Sequence, residues 1–388
     1  MEFMAKRMKG ALRALAALIA LCMLWAASIA LSAPALAQTR AYIYGGSADD
    51  ALGSITASED GRIVMAGYTN STDGTLASRT KTGRSGWALC VDAQGEVLWS
   101  FCTRLGDHDV LTAPLFHEDG SVTLILEAEV LASGEQEIEL IRLDRAGEVV
   151  FRKTLMRTGG DMAYIDYAYS TDEGYIVSWS DKQARSLASA LFDWDANRVR
   201  EMGPMPDSRV FARSEGHVLR ESGNMKVLFA VDARGDETTL DAEELPVNTI
   251  TATDISSLIT LPDGGAAGVG TANNTDDYAA RQGLFIRWDA QGNRVFEWWL
   301  EGEAQLYSVI KTPDGFAALG ERVDSEENWE LVTFGEDGVK RGVVPLGGKA
   351  ILSWGSGSLA LLPDGSLAAI KKEDGDVRMV IVPKEDVP

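Results

Sequence analysis

An acidic residue followed by glycine, set between two apolar runs, recurs seven times along this chain. That spacing constrains the fold more than any other feature. The glycines are Gly61, Gly120, Gly174, Gly216, Gly264, Gly315 and Gly365. Asp-Gly or Glu-Gly between alternating apolar runs marks a hairpin, because glycine supplies the positive φ that a tight turn demands. A period near 50 residues over the chain from residue 40 onward means a repeat architecture. The stretch 256–300 shows the unit. It reads SSLITLPDGGAAGVG, a polar loop, then GLFIRWDAQGNRVFEWWL. Four short strands in about 45 residues are the content of one β-propeller blade.

A second marker follows the first, with the form apolar-Asp-x-x-Gly-x-apolar. It occurs as VDAQGEV (91–97), LDRAGEV (143–149), VDARGDE (231–237) and WDAQGNR (288–294). FDWDANRV (192–199) reads as keeping Asp195 and losing the glycine; FGEDGV (334–339) keeps Gly338 and loses the aspartate. The expected fold is all-β, a seven-bladed propeller with blades at 47–105, 106–157, 158–203, 204–246, 247–301, 302–346 and 347–383. The fourth blade is the weakest, and the seventh supplies only three strands. Residues 40–44 match a fourth strand and are expected to pair with the last blade, closing the ring and removing exposed edges. Trp99, Trp298, Trp299 and Trp329 are expected to pack between blades; an aromatic ligand cage is the alternative reading.

Residues 1–37 stand apart. Lys6, Arg7, Lys9 and Arg13 precede an apolar run from Ala14 to Leu31, and Ala35-Leu36-Ala37 has the form of a cleavage site. This reads as a secretory signal peptide, with an uncleaved anchor as the alternative. Residues 38–388 then form a single propeller domain, and the protein is expected to be secreted or cell-envelope associated. The formal charge is −22, and about −25 without the leader. Such a surface repels nucleic acid and favours cations or basic partners, or serves solubility alone. Beyond the leader the only cysteines are Cys90 and Cys102. With a tight turn at 92–95, Cys90 is expected opposite Val97 and Cys102 opposite Ser85, on opposite faces, as two free, buried thiols.

The run GGSADDALGSITASEDGRIVMAGYTNSTDG (45–74) followed by GWALCVDAQGEVLW (86–99) resembles the secreted bacterial β-propeller repeats that carry a GG-x-x-DD element, a DGGYIVAGYT-like hairpin and a KLD-x-x-GN-x-x-W turn. The resemblance covers nearly all of residues 40–383. The chain is more loosely similar to WD40-like propellers and to quinoprotein-like propellers, the latter with blades that carry an Asp-x-x-Gly-x-x-x-Trp turn, here Asp92, Gly95 and Trp99. The first resemblance implies export and a propeller. The second implies an envelope-assembly scaffold or a quinone-dependent dehydrogenase, and the chain lacks the vicinal cysteine pair such dehydrogenases often use.

Candidate site residues come from position in the repeat. Turns after the first and third strands are short and uniform; loops after the second strand, at 69–86, 271–282 and 322–328, are long and varied, and loops held on a rigid scaffold carry function. An acid precedes the first strand in six blades: Asp50, Asp109, Asp161, Asp207, Asp254 and Glu303. These could ring the channel mouth and gather cations, or accept backbone N–H bonds in Asx turns. Asp73, Asp276 and Asp277 lie in Thr/Asn/Asp settings that could suit Ca²⁺, without EF-hand spacing. No other cofactor is implied. Asn70 and Asn273 sit in glycosylation sequons. His108, His117 and His217 have no metal-ligand spacing, and no nucleophile elbow, P-loop or dinucleotide fingerprint is present.

The expected function is that of an exported, monomeric binding module, taking a protein, a peptide or a cell-envelope glycan on the loop-rich face. The rival classes are a glycan lyase or hydrolase using carboxylates at the channel mouth, and an envelope-assembly scaffold.

Overall fold

The repeat of turns resolves into a repeat of sheets. The computed structural model describes residues 39–388 except 77–82, 104–107, 131–134, 160–164, 172, 182–185, 206–209, 214–215, 223–224, 232–236, 241–244, 247–252, 274–280, 301–303, 323–328 and 349–356. The reading of residues 1–37 falls outside the described residues. Thr39–Pro388 is one compact unit.

After β1 (Arg40–Tyr44), the first sheet is β2 (Asp50–Ala57), β3 (Ile63–Thr69), β4 (Ser85–Val91) and β5 (Val97–Cys102). The second is β6 (Val110–Phe116), β7 (Val122–Val130), β8 (Glu135–Leu143) and β9 (Val149–Gly159). The third is β10 (Ile165–Thr171), β11 (Gly174–Asp181), β12 (Ser186–Phe192) and β13 (Arg198–Met205). The fourth is β14 (Val210–Arg213), β15 (His217–Ser222), β16 (Met225–Val231) and β17 (Glu237–Thr239), with β18 (Leu245–Pro246) also on β16. The fifth is β19 (Thr253–Thr260), β20 (Ala266–Asn273), β21 (Arg281–Trp288) and β22 (Arg294–Trp299). The sixth is β23 (Ala304–Thr312), β24 (Gly315–Arg322), β25 (Trp329–Gly335) and β26 (Lys340–Pro345). The last is β27 (Gly357–Leu361), β28 (Leu367–Glu373) and β29 (Asp376–Val382), and β1 pairs antiparallel with β29, Tyr42 opposite Met379.

Each sheet is an antiparallel meander, and its two faces are apolar because sheet packs on sheet. Among the described residues, five hydrophobic clusters lie between sheets that follow one another in the chain, and a sixth lies between the last sheet and the first. One joins the first and second sheets through Val64, Ala88, Leu124 and Ile141, and another joins the fifth and sixth through Val269, Phe285, Leu306 and Phe334. The sixth joins the last sheet to the first, through Ile370, Met379, Leu52 and Trp87. Burial on both faces explains the near-continuous apolar runs of the second and third strands of each sheet.

The turns account for the markers. Gly61, Gly120, Gly264 and Gly365 sit at φ 80–87°, and Gly95, Gly147, Gly292 and Gly338 at φ 73–87°. In the second marker the aspartate caps the turn: Asp92 Oδ1 accepts from the N–H groups of Gln94 and Glu96, and Asp144 and Asp289 repeat this. The run 192–199 differs from its expected alignment. Asp193, not Asp195, caps the turn, accepting from the Asp195 and Asn197 N–H groups, and Ala196 takes the glycine position at φ 57°.

The cysteine register also differs. Cys90 faces Trp99 and Cys102 faces Trp87, because the connection spans 92–96 and a bulge between Cys90 and Val91 shifts the ladder. Neither cysteine is in a disulfide; Cys90 is buried, while Cys102 is only half-buried and packs in the cluster on the other side of the sheet.

Candidate binding face and its buried charges

The ladder register sorts the connections onto two ends of each sheet. In the first sheet one row runs Ala57, Ile63, Val91, Val97 and the opposite end runs Asp50, Thr69, Ser85. The uniform turns lie beyond the first row. The connection 70–84 and the entry from the preceding sheet lie beyond the second, which is the loop-bearing end.

At that end Asp50 organises its surroundings. Its side chain is fully buried. Oδ1 accepts from Thr69 Oγ1 at 2.6 Å and from the Asn70 and Ser71 N–H groups; Oδ2 accepts from Ser71 Oγ at 2.7 Å and the Gly46 N–H at 2.8 Å. The Gly45–Ala48 run docks onto the same loop, with Ser47 N–H on Asp73 Oδ1, Ala48 N–H on Ser71 Oγ and Thr75 N–H on the Gly45 carbonyl. The Ser47 backbone N–H, followed by the Ser47 hydroxyl, holds the Asp73 carboxyl below its usual range. Asp109 is also fully buried and accepts from Thr103 Oγ1 at 2.5 Å, while Thr103 Oγ1 accepts from the Gly86 N–H.

At Asp50 and Asp109 the carboxylates turn inward onto backbone and hydroxyl donors, the arrangement expected of the structural alternative to a channel-mouth ring. Asp254 pairs with Thr271 one residue before the bulge of β19, whereas Asp50 pairs with Thr69 two residues before that of β2, so the two aspartates do not hold equivalent places. Asp161, Asp207, Glu303, Asp276 and Asp277 lie outside the described residues. Among the described residues no group of three or more His, Cys, Asp or Glu side chains is placed to hold a metal ion.

What the structure gathers at this end are cations that sequence reasoning passed over. Strand β28 closes on Lys371-Lys372-Glu373, and period-two alternation sends the two lysine side chains to opposite faces. Lys372 turns toward the first sheet, where it ion-pairs with Asp49 and donates to Tyr68 OH at 3.4 Å. Tyr68 OH donates to Asp49 Oδ2 at 3.0 Å, and the Arg84 guanidinium stacks 4.1 Å from the Tyr68 ring centroid. Burial acts to raise the Asp49 pKa, but the bonds from Lys372 and Tyr68 outweigh it and hold the carboxyl low. Arg84 also forms a parallel backbone bridge with His108, whose ring lies 3.4 Å from Glu129.

Lys371 turns toward the sixth sheet and is almost wholly buried. Its ammonium lies 4.9 Å from the Trp329 ring centroid and 3.6 Å from Glu373, which in turn pairs with Arg378 at 3.1 Å. Tyr307 OH donates to the buried Glu321 beside this group. Burial pushes the Lys371 pKa down, against the pull of Glu373. Tyr307 is the extra residue of a bulge in β23, and β2, β10 and β19 carry register shifts at matching places. Bulges re-aim side chains and are frequent next to functional sites. The sequence signal for this cluster was the pair of lysines closing an apolar strand.

Of the tryptophans, Trp99 and Trp329 are buried, and Trp298 packs edge-on to Phe334 at 4.8 Å. Trp299 is half-buried and donates to Glu297 at 2.7 Å.

No protein-family model matches the chain, and no curated protein matches it. Solved structures do. The periplasmic gluconolactonase PpgL of Pseudomonas aeruginosa matches at TM-score 0.50 and 14% identity, over 77% of this chain and 86% of that one. The β-propeller domain of the Trilobed protease from Pyrococcus furiosus matches at TM-score 0.49 and 9% identity, over 86% and 95%. AztD of Citrobacter koseri matches at TM-score 0.42 and 11% identity, over 78% and 90%. The likeness to the gluconolactonase is one of fold: an all-β chain of consecutive four-stranded antiparallel sheets, of propeller type.

Proposed function

We propose that this chain is an exported seven-bladed β-propeller, its ring closed by β1, that works as an interaction module through its loop-bearing face. The partner is a protein, a peptide or a cell-envelope glycan. The basic, apolar and Ala-x-Ala pattern of residues 1–37 supports export, as does the periplasmic description of PpgL. The β1–β29 pairing and the cluster between the last and first sheets support closure.

One observation carries the binding reading. The two ends of the sheets are built differently: one bears short turns, while the other bears connections of varied length beside Arg84, Tyr68, Lys372 and Asp49, drawn from two sheets. A rigid scaffold presenting varied loops is how binding surfaces are commonly made. The rival carboxylate chemistry finds no support at Asp50 or Asp109, since both are buried on structural donors.

The test is a binding screen of the full chain against envelope glycans, peptides and an envelope-protein extract, with every hit repeated on Arg84→Ala and Lys372→Ala. Binding weakened by these changes, with the thermal midpoint kept, supports the reading. Hits indifferent to both changes, or turnover of a glycan in place of binding, would sink it.

A further inference from the structure

Arginines elsewhere in the structure are held by acceptors of the molecule itself. Arg62 and Arg145 share Asp60, Arg287 pairs with Asp263, and Arg378 pairs with Glu373. Arg142 gives Nη2 to the Trp194 carbonyl and to Tyr175 OH, which also meets His117 Nε2 at 3.1 Å. Arg84 stands apart. Its guanidinium has no hydrogen-bond or ion-pair partner among the described residues, and its nitrogens stay in contact with solvent. What holds it is the face of Tyr68, whose ring centroid is 4.1 Å away.

The carboxylate beside this stack is already engaged. Asp49 takes Lys372 on Oδ1 and the Tyr68 hydroxyl on Oδ2, and it makes no ion pair with Arg84. Glu129, beyond the backbone bridge between Arg84 and His108, lies 3.4 Å from the His108 ring. Arg84 and Lys372 thus stand together against the one carboxylate of Asp49, and Arg84 is the cation left over.

We infer that Arg84 is the anchor for a carboxylate of a peptide or protein partner. The inference rests on the reading of the loop-bearing face as a binding surface, and it names the chemical group that surface takes. A guanidinium and a carboxylate are both planar and meet best through two parallel N–H···O bonds. Stacking on Tyr68 sets the plane of Arg84 in advance, so less side-chain freedom is lost on binding. One unmatched cation in a chain of formal charge −22 suits a single negative group. A polyanion, such as a uronate polymer, would meet the field of the remaining acids. The ring on which a sugar would stack is also covered: Arg84 lies over Tyr68, and Lys372 approaches the same ring at 5.8 Å. A peptide needs no such ring, and its lone anion is a free C-terminus or one acidic side chain.

The experiment is ligand-observed saturation-transfer NMR of the full chain with pools of N-acetylated hexapeptides made of uncharged residues. One pool carries free C-terminal carboxylates, the second is amidated, and the third is amidated with one internal glutamate. Galacturonate serves as the sugar carboxylate. Binding by the first or third pool, and not by the second, is expected, and which of the two binds identifies the source of the carboxylate. Calorimetry then measures the peptide recovered. Arg84→Ala should weaken it about tenfold or more, the value of one hydrogen bond to a charged group. Arg84→Lys keeps the charge and loses the planar fork, and should weaken it as well. Arg341→Ala, at an exposed arginine of the turn end, should leave it unchanged. All three variants should keep the thermal midpoint. Equal binding of free and amidated pools, lost in Arg84→Ala, would overturn the inference and leave the binding face standing. Binding of galacturonate and of no peptide would give Arg84 to a sugar and overturn it too. Peptide binding indifferent to Arg84→Ala would overturn both the inference and the reading it rests on.

Discussion

The phenol of Tyr44 donates to the carbonyl of Gly95 at 2.7 Å, tying the outermost strand of the last sheet to a turn of the first. Tyr42, two residues earlier on the same strand, lays its ring where a Cβ on Gly95 would stand. The same arrangement holds elsewhere: Trp99 lies over Gly147 and Phe296 over Gly338. The junction made by β1 is thus built like the junctions between sheets that follow one another in the chain. Tyr44→Phe should lower unfolding free energy by about 1 kcal/mol, the net worth of one buried hydrogen bond, read by urea denaturation. A midpoint equal to wild type would show that the bond adds nothing to the stability of the β1 junction.

Gly61 and Gly95 separate backbone strain from packing. Both have similar positive φ, 84° and 80°. A Cβ on Gly61 would approach only the Ala93 side chain at 4.0 Å, whereas one on Gly95 collides with Tyr42. Gly61→Ala should cost about 1 kcal/mol from backbone strain. Gly95→Ala should cost roughly 1–3 kcal/mol more, from overpacking. The double variant with Tyr42→Ala should recover part of that excess. Equal losses at the two glycines would mean that the ring moves aside freely.

Asp50 accepts from donors only, so Asp50→Asn sets an amide N–H against one of them. The expected loss is about 2–4 kcal/mol, the cost of breaking a buried, charge-assisted network. Asp73→Asn, at an exposed residue, should cost well under that. The measurement is chemical denaturation, with the same variants titrated with Ca²⁺. A Ca²⁺-dependent stabilisation that vanishes in Asp50→Asn would return the acidic positions to a cation-binding role.

Two histidines set a pH dependence. Burial lowers the pKa of His117 and of His217 below the usual value. Each folded pKa lies under its unfolded value, so the stability they confer is complete above about pH 6.5 and is lost as pH falls through the folded values. Unfolding free energy should decline on acidification from pH 7 toward pH 5. The slope should be shallower in His217→Gln. A flat profile over that interval would contradict the burial of the two rings.

The turns were legible in the sequence because their chemistry is local. An aspartate caps its own turn three residues before a glycine at positive φ, so the pattern survives in one stretch of text. The run 192–199 was misaligned because Ala196 adopts the glycine conformation and leaves two aspartates to choose between. The cysteine register slipped for a related reason: a bulge at Cys90 is set by the turn as a whole, not by its flanking residues. Lys371 and Lys372 were overlooked because their partners, Trp329 and Asp49, lie on other sheets, tens to hundreds of residues away. His117 was weighed only as a metal ligand, since nothing in its neighbourhood announces Tyr175 or Trp194.

The pairing of β1 with β29 also orders events in time. The first strand of the unit finds its partner only when the last one exists, so its backbone groups stay unmatched while every intervening hairpin can already form from near neighbours. Loop-closure entropy across some 340 residues is settled at that final step, and until then two raw strand edges are open to other chains. A nascent or newly unfolded molecule is therefore most prone to aggregate at its two extremities. A permuted version with its original ends linked and new ends placed in a surface turn would turn this slowest contact into a local one and should refold faster.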